Sequence, residues 1–349
     1  MKNLATYSVL LTVSFFFLAC SATNRMTMGV TKPAQISIAG DVQRIGIINR
    51  SVASEKNKTL DKIDKILSLE GKNLDKEGAE HAIIGLMDEL EQGNRFKEVK
   101  IIEAQQEFEK GLGVFPSALS WETVEKLCQE HDVDILFSLE FYDTDTAVNY
   151  EMAMVNIPNN LGIKAAVPGH RIELNTVIKN GWRVYDPVGK RMVDEFLAND
   201  HVVSRGEGIN PMKAFEAVVG RKEAVLGLST NLGIHYGLFT KPERIRVARD
   251  YFVRGSDNFK IAKRRAQTGD WEGAAALWQS ELNSRKAKVA GRAYYNMAIS
   301  NEINGDLEEA LKLASKSYAD YGNREGLHYV NLLRNRMADK QVLENQLSK

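Results

Sequence analysis

The chain has 349 residues, 44% of them hydrophobic, which is enough length for two domains and enough apolar mass for a core. Lys plus Arg and Asp plus Glu each total 46, so no global positive charge marks a nucleic-acid-binding protein. Two cysteines, Cys20 and Cys128, exclude a disulfide-rich secreted framework. Met1-Lys2-Asn3 carries one positive charge, and residues 4–19 are mostly apolar or small, with Phe15, Phe16 and Phe17 at their centre. That run is shorter than the roughly 20 residues that span a bilayer and has the size of a secretory h-region.

Leu18-Ala19-Cys20 resembles the bacterial lipoprotein cleavage site, in which a small residue precedes a lipid-bearing cysteine; Phe17 departs from the usual leucine. The resemblance implies a signal peptide over 1–19 and palmitate and diacylglycerol on Cys20, and two buried acyl chains already anchor stably. The other reading of Cys20 is a free thiol at the end of a membrane anchor. Ser21 is not aspartate, which by the sorting rules favours the outer membrane, and no acidic run follows the cysteine, which favours its periplasmic face. Residues 20–38 are expected to form a tether, 39–253 an α/β domain and 254–349 a helical domain.

Within the α/β domain, "VQRIGIINRS" (42–51) has strand composition. Two helical patterns follow, "LDKIDKIL" and "LDKEGAEHAIIGLMDELEQGNRF". In the second, Ala79, Ala82, Ile83, Leu86, Met87 and Leu90 share one face. "FKEVKIIEA" (96–104) reads as a strand. Ser120 is placed to cap a helix whose apolar stripe carries Cys128, which predicts a packed thiol. "VDILFSLEFYD" (133–143) begins as a continuous apolar strand. Residues 171–205 alternate instead, and Asp186-Pro187-Val188-Gly189 is turn chemistry, which predicts an antiparallel meander. Asn210-Pro211 supplies a cap and a first helical residue for one long helix to about Phe239. "ERIRVARDYFV" (243–253) returns to alternation as a last strand. A mixed sheet with covering helices follows from this order. It is similar to the α/β domains of the curli-secretion lipoprotein, the penicillin-binding-protein-activator lipoproteins and the amino-terminal domain of TolB.

The end of the chain repeats. Gly269-Asp270-Trp271 aligns with Gly305-Asp306-Leu307, 36 residues on, and Ala274 with Ala310. This resembles the tetratricopeptide repeat, a helix pair of about 34 residues with a small residue where its helices cross. The motif's terminal proline is missing from both units. Residues 325–347 are expected to cap the array. Together "WRVYDPVGKRMVDEF", "DWEGAAALW" and "AYYNMAISNEINGDLEEALKLASKSY" resemble an uncharacterised family of Bacteroidota lipoproteins with a domain of unknown function, which implies no activity.

Catalytic signatures are missing. None of the six histidines has the spacing of a zinc motif, no P-loop occurs, and "GLSTN" lacks the second glycine of a nucleophile elbow. No cofactor and no metal is expected. Asp145-Thr146-Ala147 resembles the O-glycosylation signal of secreted Bacteroidota proteins, with Thr146 in an exposed loop after a strand. Arg292, Tyr295, Ile299 and Glu302 fall on one helix face. In the repeat's register that face is concave and suits an envelope protein or peptide, although Tyr295 and Ile299 fit packing against a neighbouring repeat equally. The expected function is a membrane-tethered, non-enzymatic interaction scaffold; the alternative is an envelope-polymer hydrolase with dispersed catalytic residues.

Overall fold

The computed structural model describes residues 22–51, 62–93, 95–103, 115–158 and 164–348. Residues 1–19, expected as a signal peptide, and Cys20 lie outside them. The chain divides into two compact units. One is a mixed-sheet unit, Ala34–Pro242 with the last residues from Asn345; the other joins Glu243–Glu344 to the described residues before Ala34.

In the sheet unit, β2 (Arg44–Asn49) lies parallel to β3 (Glu98–Ile101) and to β4 (Ile135–Pro158). β5 (Lys164–Asp186) and β6 (Arg191–Gly208) continue antiparallel, giving the order β3-β2-β4-β5-β6. The meander forms as its alternation predicts, and the main-chain N–H groups of Val188 and Gly189 donate to Asp186 at its turn. β4 is twice the expected length, because the polar alternation after Tyr142 finds a partner in β5 from Asp143 to Pro158.

The two helical patterns after β2 merge in α1 (Lys62–Glu91), whose predicted stripe of Ala79, Ala82, Ile83, Leu86 and Leu90 is buried. Ser120 accepts from the Thr123 N–H and caps α2 (Trp121–Glu130). The long helix expected from Asn210 is two. α3 (Pro211–Glu216) keeps the predicted Asn210 cap, and Gly220, at φ 72°, separates it from α4 (Arg221–Leu238). A glycine carries that left-handed geometry without strain. α4 crosses α1 closely: a Cβ on Gly233 would stand 1.9 Å from the Ala82 carbonyl oxygen.

The other unit is all-helical apart from one ribbon. β1 (Thr23–Lys32) pairs antiparallel with β7 (Glu243–Phe252) through ten residues of each. The tether expected over 20–38 is therefore a strand from Thr23, and the unit boundary falls before Glu243 rather than after Val253. The helices are α5 (Asp257–Gln267), α6 (Trp271–Ser280), α7 (Ala287–Ile303), α8 (Leu307–Ala319) and α9 (Arg324–Leu347). Gly269 and Gly305 adopt φ 86° and 85°, Asp270 and Asp306 cap α6 and α8, and Ala274 and Ala310 are fully buried. The two matched turns are thus alike in geometry as well as in sequence. Trp271 packs edge-on against Tyr251 of β7.

Candidate functional site

The stripe on α7 ends up in contact with the unit's own chain. The odd residues of β7, Ile245, Val247, Arg249 and Tyr251, face inward by strand alternation. Beside Phe252, the last residue of β7, lies Asn296, a wholly buried side chain of α7. Its Oδ1 accepts from the Phe252 N–H at 2.8 Å, and its Nδ2 donates to the Phe252 carbonyl at 2.7 Å. One amide thus supplies both bonds that a neighbouring strand would supply. Arg249 donates twice to Glu302, from Nε at 2.8 Å and from Nη2 at 2.7 Å. Tyr329 of α9 also donates to Glu302, and an Arg336 nitrogen lies 3.3 Å from it. Burial works against the Arg249 charge, but the bonds and charge of Glu302 outweigh it and raise its pKa. Burial, with Glu302 beside it, likewise raises the Tyr329 phenol.

The rest of the stripe is engaged too. Tyr295 packs edge-on to the Phe252 ring at 5.2 Å, Ile299 is fully buried, and the Arg292 guanidinium lies 4.8 Å over the Phe252 ring while donating to the Arg254 carbonyl. Arg292, Tyr295, Ile299 and Glu302 therefore do not form an open partner-binding face. The period of the sequence places them on one side of α7, and β7 covers that side. Arg249 and Asn296 were missed as members of this site. The signal for both was a polar residue at an inward position of an otherwise apolar pattern.

The sheet unit has a second buried cluster. Glu140 lies in the apolar run of β4, at a register shift between Leu139 and Phe141, and is buried. Glu140 accepts from Arg50 and, at 2.7 Å, from Tyr185, and Arg183 lies 3.8 Å away. Burial raises the Glu140 carboxyl above its ordinary range despite Arg50, and burial lifts the Tyr185 phenol to about 12. The two arginines also donate to main-chain carbonyls, Arg50 to Ser117 and Arg183 to Pro116, and the Leu119 N–H donates to Tyr185. The cluster fastens the segment before α2 to the sheet.

Thr146 lies inside β4, not in a loop. Its hydroxyl is 3.0 Å from that of Thr176 and accepts from Arg221 at 2.8 Å. Arg221 borders a cavity of about 450 Å³ lined also by Leu74, Leu174 and Phe215. Cys128 is a buried free thiol whose pKa burial pushes up to about 12. Among the described residues no group of three or more His, Cys, Asp or Glu side chains is placed to hold a metal ion, and no helix is long and apolar enough to cross a membrane.

A mixed-sheet unit and an all-helical unit with its own ribbon define a two-part chain with two buried ionic clamps. It belongs to the family with the Domain of unknown function (DUF8603), whose profile matches residues 42–252. A second profile, Domain of unknown function (DUF6340), matches residues 260–335. No curated protein matches the chain. Among solved structures, a PelC dodecamer from Paraburkholderia phytofirmans is 10% identical over 63% of this chain and 100% of its own, with a TM-score of 0.26. A neuraminyllactose-binding hemagglutinin homologue from Helicobacter pylori is 9% identical over 58% of this chain and 87% of its own, with a TM-score of 0.27. Likeness at that level carries no argument about this chain.

Proposed function

We propose that the protein is a lipoprotein of Bacteroidota type, anchored through Cys20 to the periplasmic face of the outer membrane, and that it is an interaction scaffold without catalytic activity. In this reading the helical unit is a tetratricopeptide-like module that recognises an envelope protein or peptide. The observation that carries it is the grip on β7: Asn296 takes both main-chain groups of Phe252, so α7 is built to hold extended polypeptide. The matched turns at Gly269-Asp270 and Gly305-Asp306, with Ala274 and Ala310 at the crossings, support the repeat character. The buried carboxylates Glu140 and Glu302 are each tied to arginine and tyrosine, an arrangement suited to fastening chain segments.

Two experiments test the reading. The wild type should take up a palmitate analogue and sediment with membranes, whereas Cys20→Ala should lose the label and become soluble; a membrane-bound, unlabelled wild type would remove the anchor. Photo-crosslinking in intact cells from exposed positions of the helical unit, such as Ile261 and Leu327, should give discrete protein adducts. Turnover of an envelope polymer by the purified protein, with no adduct from the helical unit, would favour the hydrolase alternative.

A further inference from the structure

The flank of the helical unit carries a feature that neither the clamps nor the core explains. A cleft of about 1090 Å³ opens between α5, the turn before α7 and the chain leaving β7. Lys260, Lys263, Arg264 and Gln267 line one wall at i, i+3, i+4 and i+7, the spacing of a single helix face. Arg285 and Lys286 in the turn before α7, and Val253 and Arg254 in the chain leaving β7, line it as well.

Six cations thus meet two carboxylates, and both carboxylates are engaged. Asp257 pairs with Lys260 at 2.8 Å, and Glu281 accepts from the Ser256 hydroxyl at 2.6 Å and from Asn258 at 2.8 Å. Among the described residues, no carboxylate lies within ion-pair distance of Arg254, Lys263, Arg264, Arg285 or Lys286. The whole chain is neutral, with 46 residues of each sign, so this local excess does not follow from composition. Arg254 also acts on a neighbour on α7: burial lowers the Arg292 guanidinium, and the charge of Arg254 lowers it further.

We infer that this cleft binds an extended, acidic segment of a partner protein. The inference rests on the interaction reading above and names its ligand. Clefts lined by one sign of charge concentrate ligands of the other sign. The cations come from three separate segments around a concave cleft, which suits a single strand of polypeptide lying among them better than a flat anionic bilayer. Ser284 and Gln267 offer neutral hydrogen-bonding groups for a main chain, and Val253 and Val289 offer apolar contact. At the end of α7 beside Arg285, Lys286 holds the N-cap position and makes no side-chain capping bond. The N–H groups of that helix end add favourable potential for a carboxylate.

The test uses the full mature chain in its soluble Cys20→Ala form. The probe is a fluorescein-labelled decapeptide of alternating glutamate and serine, with a lysine-serine peptide as control. Arg264 and Arg285 are exposed, so the double variant R264E/R285E should melt like the parent. The acidic peptide should bind the parent, and the variant should bind about tenfold or more weakly, as expected when charges facing a charged ligand are reversed. Binding should weaken as salt rises from about 0.05 to 0.3 M. Undiminished binding by the variant, or no binding of the acidic peptide by the parent, overturns the inference. So does R264E/R285E-sensitive binding to phosphatidylglycerol vesicles without peptide binding, which would make the cleft a lipid-headgroup site. Protein crosslinks from Leu327 that persist unchanged in R264E/R285E cells would remove the cleft assignment and leave the interaction reading intact.

Discussion

Glu140 in the sheet unit and Glu302 in the helical unit are both fully buried carboxylates that meet arginine and tyrosine, yet they hold different things. Glu140 orients two guanidiniums toward the main-chain carbonyls of Pro116 and Ser117, so its cluster fixes a connecting segment through its main chain, with the Phe115 ring under Arg183. Glu302 takes the side chain of Arg249, so its clamp reads one residue of one strand, and Asn296 reads the main chain of Phe252. The sheet unit gets its register from five paired strands and uses its cluster to attach a loop. In the helical unit β7 has one strand partner, β1, and both devices on α7 hold its other side. The inner face of α7 is occupied by this contact, so the recognition proposed above is assigned to the flank.

The largest effects should come from breaking the clamps. Removing one partner of a buried ion pair leaves the other charge uncompensated and costs about 3–5 kcal/mol. Glu140→Ala and Glu302→Ala should each lose stability of that order in denaturant titrations. Their local consequences should differ. Glu140→Ala should speed hydrogen exchange at the Leu119 amide, which Tyr185 accepts, and Glu302→Ala should speed it in β7. Equal loss of protection in both places from either variant would mean the clamps are not local devices.

Helix crossing comes next. Ala310→Leu and Ala274→Leu place a larger side chain at fully buried positions, and overpacking costs about 1–3 kcal/mol. Both should lower the melting temperature of the helical unit, followed by fluorescence of Trp271 and Trp278. Unchanged melting in either would remove the equivalence of the two crossings.

Where the pattern needed only local chemistry, the sequence was legible. The Ser120 and Asn210 caps, the Asp186 turn, the α1 stripe and the Gly-Asp turns at 269 and 305 all form at their expected places. What local pattern cannot encode is the partner. Thr23–Lys32 pairs with residues more than 200 positions away, and no spacing in the sequence points from one to the other. For the same reason the stripe on α7 was readable as a stripe, but its cover, β7, was not. Thr146 looked like a loop residue because its neighbours are polar, and it is a strand residue because β5 pairs with it. Glu140 in an apolar run and Arg249 at an inward strand position were the two local signs of the clamps.

The smallest effect concerns Cys128. Its thiol, near 9 when free, is pushed by burial to about 12 in the fold. The folded state therefore keeps its proton where the unfolded state has lost it, and stability should fall as pH rises above about 9. At neutral pH the thiol should react with maleimide only as fast as the sheet unit opens. Rapid labelling of the native protein would contradict its burial.

The most direct test of the central claim is hydrogen exchange at the Phe252 amide, compared between the wild type and Asn296→Ala. Leaving buried main-chain groups unpaired costs about 1–3 kcal/mol. The wild-type amide should exchange only with unfolding of the helical unit, and Asn296→Ala should raise its exchange well above that of α7 core amides. Wild-type exchange as fast as an unstructured peptide would mean that β7 does not close the inner face, and that Arg292 and Tyr295 are available to partners after all.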